Sequence, residues 1–121
     1  MLDHVTIPVR ELDSSERWYA AALSPLGMTL LERSADCAKF GIGRMPYLSL
    51  RRAAGVPEPV HLAFSAASRE QVNAFYTAAV DAGGVDNGPP GLRPHYHPNY
   101  FGAFALDPDG HNIEVVRHAP D

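Results

Sequence analysis

Two histidines and a glutamate set the chemistry open to this chain. His4, His61 and Glu114 each sit in a short apolar run that reads as a strand. Two imidazoles and one carboxylate, far apart in sequence but similarly placed on three strands, are what a divalent metal site needs. A strand-centre His or Glu is costly to bury unless something satisfies it. Three of them at related places imply a shared partner, and a metal ion is the economical one.

The places are related because the chain repeats. Shifted by 57 positions, His4 falls on His61, Tyr19 on Tyr76, Ala21 on Ala78, Ala22 on Ala79 and Gly27 on Gly84. At a shift of 65, Leu48-Ser49-Leu50 falls on Ile113-Glu114-Val115. The difference of eight residues is an insertion in the second half, assigned to the Gly/Pro-rich stretch from Gly83 to Asn99. Two copies of one supersecondary unit in 121 residues point to a pseudo-symmetric single domain over 1–121, with units of about 1–54 and 58–118.

Periodicity supplies the elements. Asp3 to Val9 alternates as a strand. Asp13 or Ser14 is expected to cap a helix that carries Trp18, Ala21 and Ala22 toward the core. Met28–Glu32, Cys37–Ile42 and Tyr47–Arg52 read as strands, and Val60–Ala66 opens the second unit. Ser68 caps a second helix that runs to about Ala82. Tyr100–Leu106 and Asn112–Arg117 are the last strands, joined by the turn Asp107-Pro108-Asp109-Gly110. If helices cover the apolar sheet faces, the opposite face carries His4, Thr6, His61, Ser65, Tyr47, Ser49, Arg51, Asn112 and Glu114. His111 then points the other way from Glu114 and reads as a turn or surface residue.

Composition excludes several classes. A net charge of −4 with no basic stripe gives no basis for binding nucleic acid. No apolar run approaches the ~20 residues of a membrane span, and the first residues lack a signal-peptide pattern. One cysteine, Cys37, excludes an intrachain disulfide and suits a reducing cytoplasm.

The segments Asp3-His4-Val5-Thr6-Ile7-Pro8-Val9, Trp18-Tyr19, Val60-His61-Leu62-Ala63-Phe64 and Asp107-Pro108-Asp109-Gly110-His111-Asn112-Ile113-Glu114 carry a resemblance. The chain resembles the vicinal oxygen chelate superfamily, which includes glyoxalase I, extradiol dioxygenases, fosfomycin-resistance thiol transferases and bleomycin-resistance proteins. The resemblance implies an α+β fold: two paired βαβββ repeats forming a cupped mixed sheet, with helices on the convex face. It also implies a divalent metal (iron, manganese, zinc or nickel) held in the cup by His4, His61 and Glu114. Glyoxalase I enzymes add a glutamate at the position that is Ser49 here, so that activity is disfavoured.

The implied function is a small metalloenzyme, a lyase, isomerase or dioxygenase. Its substrate would be a small molecule that chelates the metal through adjacent oxygens. The alternative is a metal-free drug- or metabolite-binding protein like the bleomycin-resistance branch. Tyr100 and His97 are candidate acid/base groups. Tyr47, Ser49 and Arg51 are candidate substrate contacts, with Arg51 suited to an anion. Open sheet edges predict a homodimer.

Overall fold

The computed structural model describes residues 1–121. The first unit runs β1 (Val5–Val9), α1 (Leu12–Leu23), β2 (Thr29–Arg33), β3 (Cys37–Ile42) and β4 (Met45–Arg52). The second runs β5 (His61–Ser65), α2 (Arg69–Asp81), β6 (Val85–Leu92), β7 (Phe101–Leu106) and β8 (Asn112–Arg117). Each forms its own four-stranded mixed sheet, ordered β1-β4-β3-β2 and β5-β8-β7-β6. The parallel pairs β1–β4 and β5–β8 enclose the crossover that contains the helix. The fold is therefore α+β with two βαβββ units, as expected. The sheets stay separate, and β1 and β5 each form an edge.

Strand register repeats between the units. Thr6 pairs with Ser49 as Ala63 pairs with Glu114, and Lys39 faces Ser49 as Phe104 faces Glu114. Alternation then sorts the faces. Ile7, Leu48, Leu50, Ile113 and Val115 are buried, and Val5, Leu62 and Phe64 are half-buried against the same core. Trp18, Tyr19, Ala22 and Leu23 of α1 meet Val72, Phe75 and Ala79 of α2 in that core.

Three local expectations are corrected. His4 precedes β1 and lies exposed, outside the strand. Helix α1 starts at Leu12 with Glu11 as its N-cap and no side-chain cap bond, rather than at Asp13 or Ser14. By contrast, Ser68 caps α2 through Oγ, which accepts from the Gln71 N–H at 3.2 Å. The third correction is β6, whose sequence Val-Asp-Asn-Gly-Pro-Pro-Gly-Leu reads as loop. It is an edge strand, where proline costs no ladder bond, and its pairing with β7 is interrupted by register shifts. No helix is long and apolar enough to cross a membrane.

The helices join the units at one close contact. Trp18 Nε1–H donates to the Ala79 carbonyl at 3.0 Å. A Cβ added at Gly84 would lie 2.7 Å from both that carbonyl oxygen and Trp18 Nε1. Gly84→Ala is expected to destabilise the fold by about 1–3 kcal/mol. A urea midpoint unchanged from wild type would show that the helix pair can relax around the methyl group.

Candidate metal centre

Glu114 is the most deeply buried acidic residue in the chain. It lies in the middle of β8, between Ala63 on β5 and Phe104 on β7, and is only 2% exposed. Burial of a carboxylate requires donors on both oxygens. Oε1 accepts from the His61 Nε2–H at 2.8 Å, and Oε2 accepts from the Tyr100 hydroxyl. His61 is exposed at the start of β5, so the pair has one end in the sheet and one facing solvent.

Tyr100 reaches Glu114 across a glycine. A Cβ on Gly102 would stand 3.1 Å from Tyr100 Cε1 and 3.5 Å from Glu114 Oε2. The backbone fixes Tyr100 at both ends: its N–H donates to the His97 carbonyl at 3.1 Å, and its carbonyl accepts from Arg93 N–H at 2.7 Å. Burial, followed by the hydrogen bond to Glu114 and that residue's charge, raises the phenol well above its ordinary value of 10.0, against an opposing effect of Arg93. Tyr100 is thus a donor to Glu114 and stays protonated at neutral pH. Tyr100→Phe is expected to cost about 1–2 kcal/mol, because one buried oxygen loses its donor. The stabilisation from Tyr100 is complete below pH 10 and is lost as pH rises above it. Unfolding curves at pH 7 and above pH 10 check this: the gap between wild type and Tyr100→Phe should narrow at high pH.

The polar face of the second sheet borders a cavity of about 420 Å³, lined by residues including His61, Arg93, Tyr96, Phe104 and Asn112. Arg93 lies 5.4 Å over the Phe104 ring and donates to the carbonyls of Pro89 and Gly91. His97 makes its hydrogen-bond contacts with residues other than Glu114. Its Nδ1 accepts from the Asn99 N–H at 3.1 Å, and its Nε2 lies 2.6 Å from His118 Nδ1. It meets Tyr100 only edge to face, with ring centroids 5.7 Å apart.

The first sheet borders a separate cavity. His4, Thr6, Lys39, Pro46, Ser49 and Arg51 line a cavity of about 280 Å³. His4 Nδ1 is 2.7 Å from Asp3 Oδ1. Tyr47 is exposed and shares another cleft with His4, beside Leu62–Ser65 of β5. Within one chain His4 does not join His61 and Glu114. The only three such ligating side chains whose ligand atoms all lie within 4.8 Å of one another are Asp107, Asp109 and His111.

That cluster is already satisfied by protein. Asp107 Oδ1 accepts the N–H groups of Asp109 and His111, and Oδ2 accepts the Tyr19 hydroxyl at 2.5 Å. The Asp109 carboxylate accepts Arg10 N–H and the Ser15 hydroxyl. His111 Nδ1 accepts Val60 N–H at 3.0 Å, while Nε2–H donates to the Pro8 carbonyl at 2.7 Å. His111 is fully buried, which corrects its reading as a surface residue. Burial raises the pKa of Asp107 despite the Tyr19 hydroxyl and two amide donors, which lower it. Its ionised form therefore costs stability at neutral pH, and the cost is relieved as pH falls through its native pKa. The cluster is a clasp joining β1, the linker and the β7–β8 turn.

Sequence reading missed Lys39, Phe104 and His118. Alternation in β3 marks Lys39, since Ala38 and Phe40 are the buried positions. The shift of 65 then sets it on Phe104. No comparable signal pairs His118 with His97.

A family model for the Glyoxalase/Bleomycin resistance protein/Dioxygenase superfamily matches residues 1–115. A glyoxalase/bleomycin resistance protein from Albidiferax ferrireducens is 27% identical, with a TM-score of 0.83 over 95% of this chain and 97% of its own. A putative glyoxalase from Bacillus halodurans is 26% identical, with a TM-score of 0.74 over 97% and 95%. A glyoxalase I mutant from Zea mays, 23% identical, shares the fold at a TM-score of 0.70, over 99% of this chain and 45% of its own. No relative was found among proteins of curated function. With the family match spanning nearly its full length, the chain belongs to the glyoxalase/bleomycin resistance protein/dioxygenase superfamily.

Proposed function

We propose that this protein is a small metal-dependent enzyme of the vicinal oxygen chelate type, a lyase, isomerase or dioxygenase acting on a small molecule with adjacent oxygens. The observation that carries the reading is the buried Glu114 paired with the solvent-facing His61. Their ligand atoms are 2.8 Å apart, close to the separation of neighbouring ligands on a metal that holds each at about 2.0–2.2 Å. Both donor types suit iron, manganese, zinc or nickel. A bound metal would supply Lewis-acid polarisation of substrate oxygens or, as iron, redox chemistry with dioxygen.

The chain's own residues have separable tasks in this reading. His61 and Glu114 hold one side of the metal. Tyr100 keeps Glu114 Oε2 occupied, so Oε1 is the oxygen offered to the metal. Arg93, Phe104 and Asn112 bound the space beside it. His4 completes the ligand set from a second copy in a homodimer, since within one chain it stands apart. Ser49 occupies the place of a fourth carboxylate, which argues against glyoxalase I activity.

Elemental analysis of protein purified without chelator tests the proposal. Near-stoichiometric metal is expected, with occupancy at least tenfold lower in His61→Ala, the loss typical of removing a ligand-sphere residue. The separation of His4 from the pair favours one rival, a metal-free binder that sequesters a small molecule. Absence of metal from both proteins, even after reconstitution, would select that rival.

A further inference from the structure

We propose that the polar face of the first sheet binds an oxyanion, a carboxylate or phosphonate-type group carried by the substrate. The two repeats differ on this face in a consistent direction. Ser49 stands where the second unit has Glu114, and Lys39 where it has Phe104. Arg51, opposite Pro8, stands where Val116, opposite Ser65, stands in the second unit. At matching sheet positions the first unit has lost a carboxylate and gained an ammonium and a guanidinium.

The local charges leave the guanidinium available. Lys39 Nζ is 3.2 Å from Glu32 Oε2, an exposed pair of the kind that contributes little and yields to a competing anion. Asp3, which precedes the cavity residue His4, is engaged by the His4 ring. Arg51 is exposed and belongs to no ion pair. The hydroxyls of Thr6 and Ser49 lie on paired residues of the same cavity wall. Apart from Pro46 the lining is polar, and about 280 Å³ accommodates an oxyanion with its first carbons. A guanidinium fork flanked by hydroxyl donors matches the planar or tetrahedral oxygens of such a group.

The inference rests on the metal-enzyme reading in one respect: the anion belongs to the substrate whose other end chelates the metal. Oxyanion binding itself needs no metal, so it is tested on chelator-treated protein. Inorganic phosphate and, separately, sodium acetate are titrated at low ionic strength while backbone amide NMR signals are followed. Saturable shifts are expected at Thr6, Lys39 and Ser49, weakening with added salt. Arg51→Gln should weaken binding at least tenfold. Ser49→Glu, which returns a carboxylate to the face, should abolish it. Response to phosphate alone assigns a phosphonate or phosphate group, and response to acetate assigns a carboxylate. No saturable shift with either probe, or equal affinity in wild type and the Lys39→Gln/Arg51→Gln double variant, overturns the proposal. Arg51 is exposed and the Lys39 side chain is 40% exposed, so the glutamine changes at these two positions leave the fold in place. Ser49 is buried, so its glutamate variant is read only where the dispersed amide spectrum of the folded protein is retained. Failure here leaves the elemental analysis standing, and absence of metal there leaves this result standing.

Discussion

His111→Ala is expected to lower the unfolding free energy by about 3 kcal/mol. The magnitude follows from what the imidazole satisfies. Its ring is fully buried, accepting from the linker at Val60 and donating to the end of β1 at Pro8. Alanine removes the partner of both backbone groups and leaves a void in its place. Each orphaned backbone group costs about 1–3 kcal/mol when it stays dry. The loss falls on the contact between the units, because Pro8 belongs to the first and His111 to the second. Denaturant unfolding at pH 7 measures it. A loss below about 1 kcal/mol would mean that water replaces the ring. Tyr19→Phe, which frees the neighbouring Asp107 oxygen, should produce a smaller loss.

Mixing two inactive variants is expected to restore metal binding. His4→Ala and Glu114→Ala alone should each lose metal at least tenfold. If a site takes its first half from one copy and its second half from another, a heterodimer of the two variants holds one intact site and one doubly damaged site. Random re-pairing makes half the dimers mixed, so roughly a quarter of the wild-type capacity returns. A site built within one chain would return nothing, because every chain carries a lesion. The experiment requires co-refolding, followed by elemental analysis and sedimentation to establish the dimer. Recovery well below a quarter, with dimers present, would place the three ligands in one chain and require the units to move relative to each other on binding.

The repeat in the sequence predicted the architecture closely because the two units share one alternation. In β1, β4 and β5 apolar residues at every second position define the face turned to the core, and the shifts of 57 and 65 reappear as strand register. Glycine and proline misled at β6, where an edge position tolerates residues that break an interior ladder. The same local view misread His111. Nothing near it in sequence announces Pro8 and Val60, which reach it only through the packing of the two units.

The site divides along the same line. Residue type and alternation by themselves put His61 and Glu114 on one polar face, and Ser49 and Arg51 on the matching face of the other repeat. These are properties of a single βαβββ unit, fixed by a period of two. How the two faces sit relative to each other depends on contacts between distant residues: Trp18 with Ala79, Arg10 with Asp109, and His111 with Pro8. Only tertiary structure could decide that His61 pairs directly with Glu114, whose other oxygen Tyr100 takes, while His4 stands apart. Sequence spacing encodes which face a side chain takes, and the packing of one unit on another decides which faces meet.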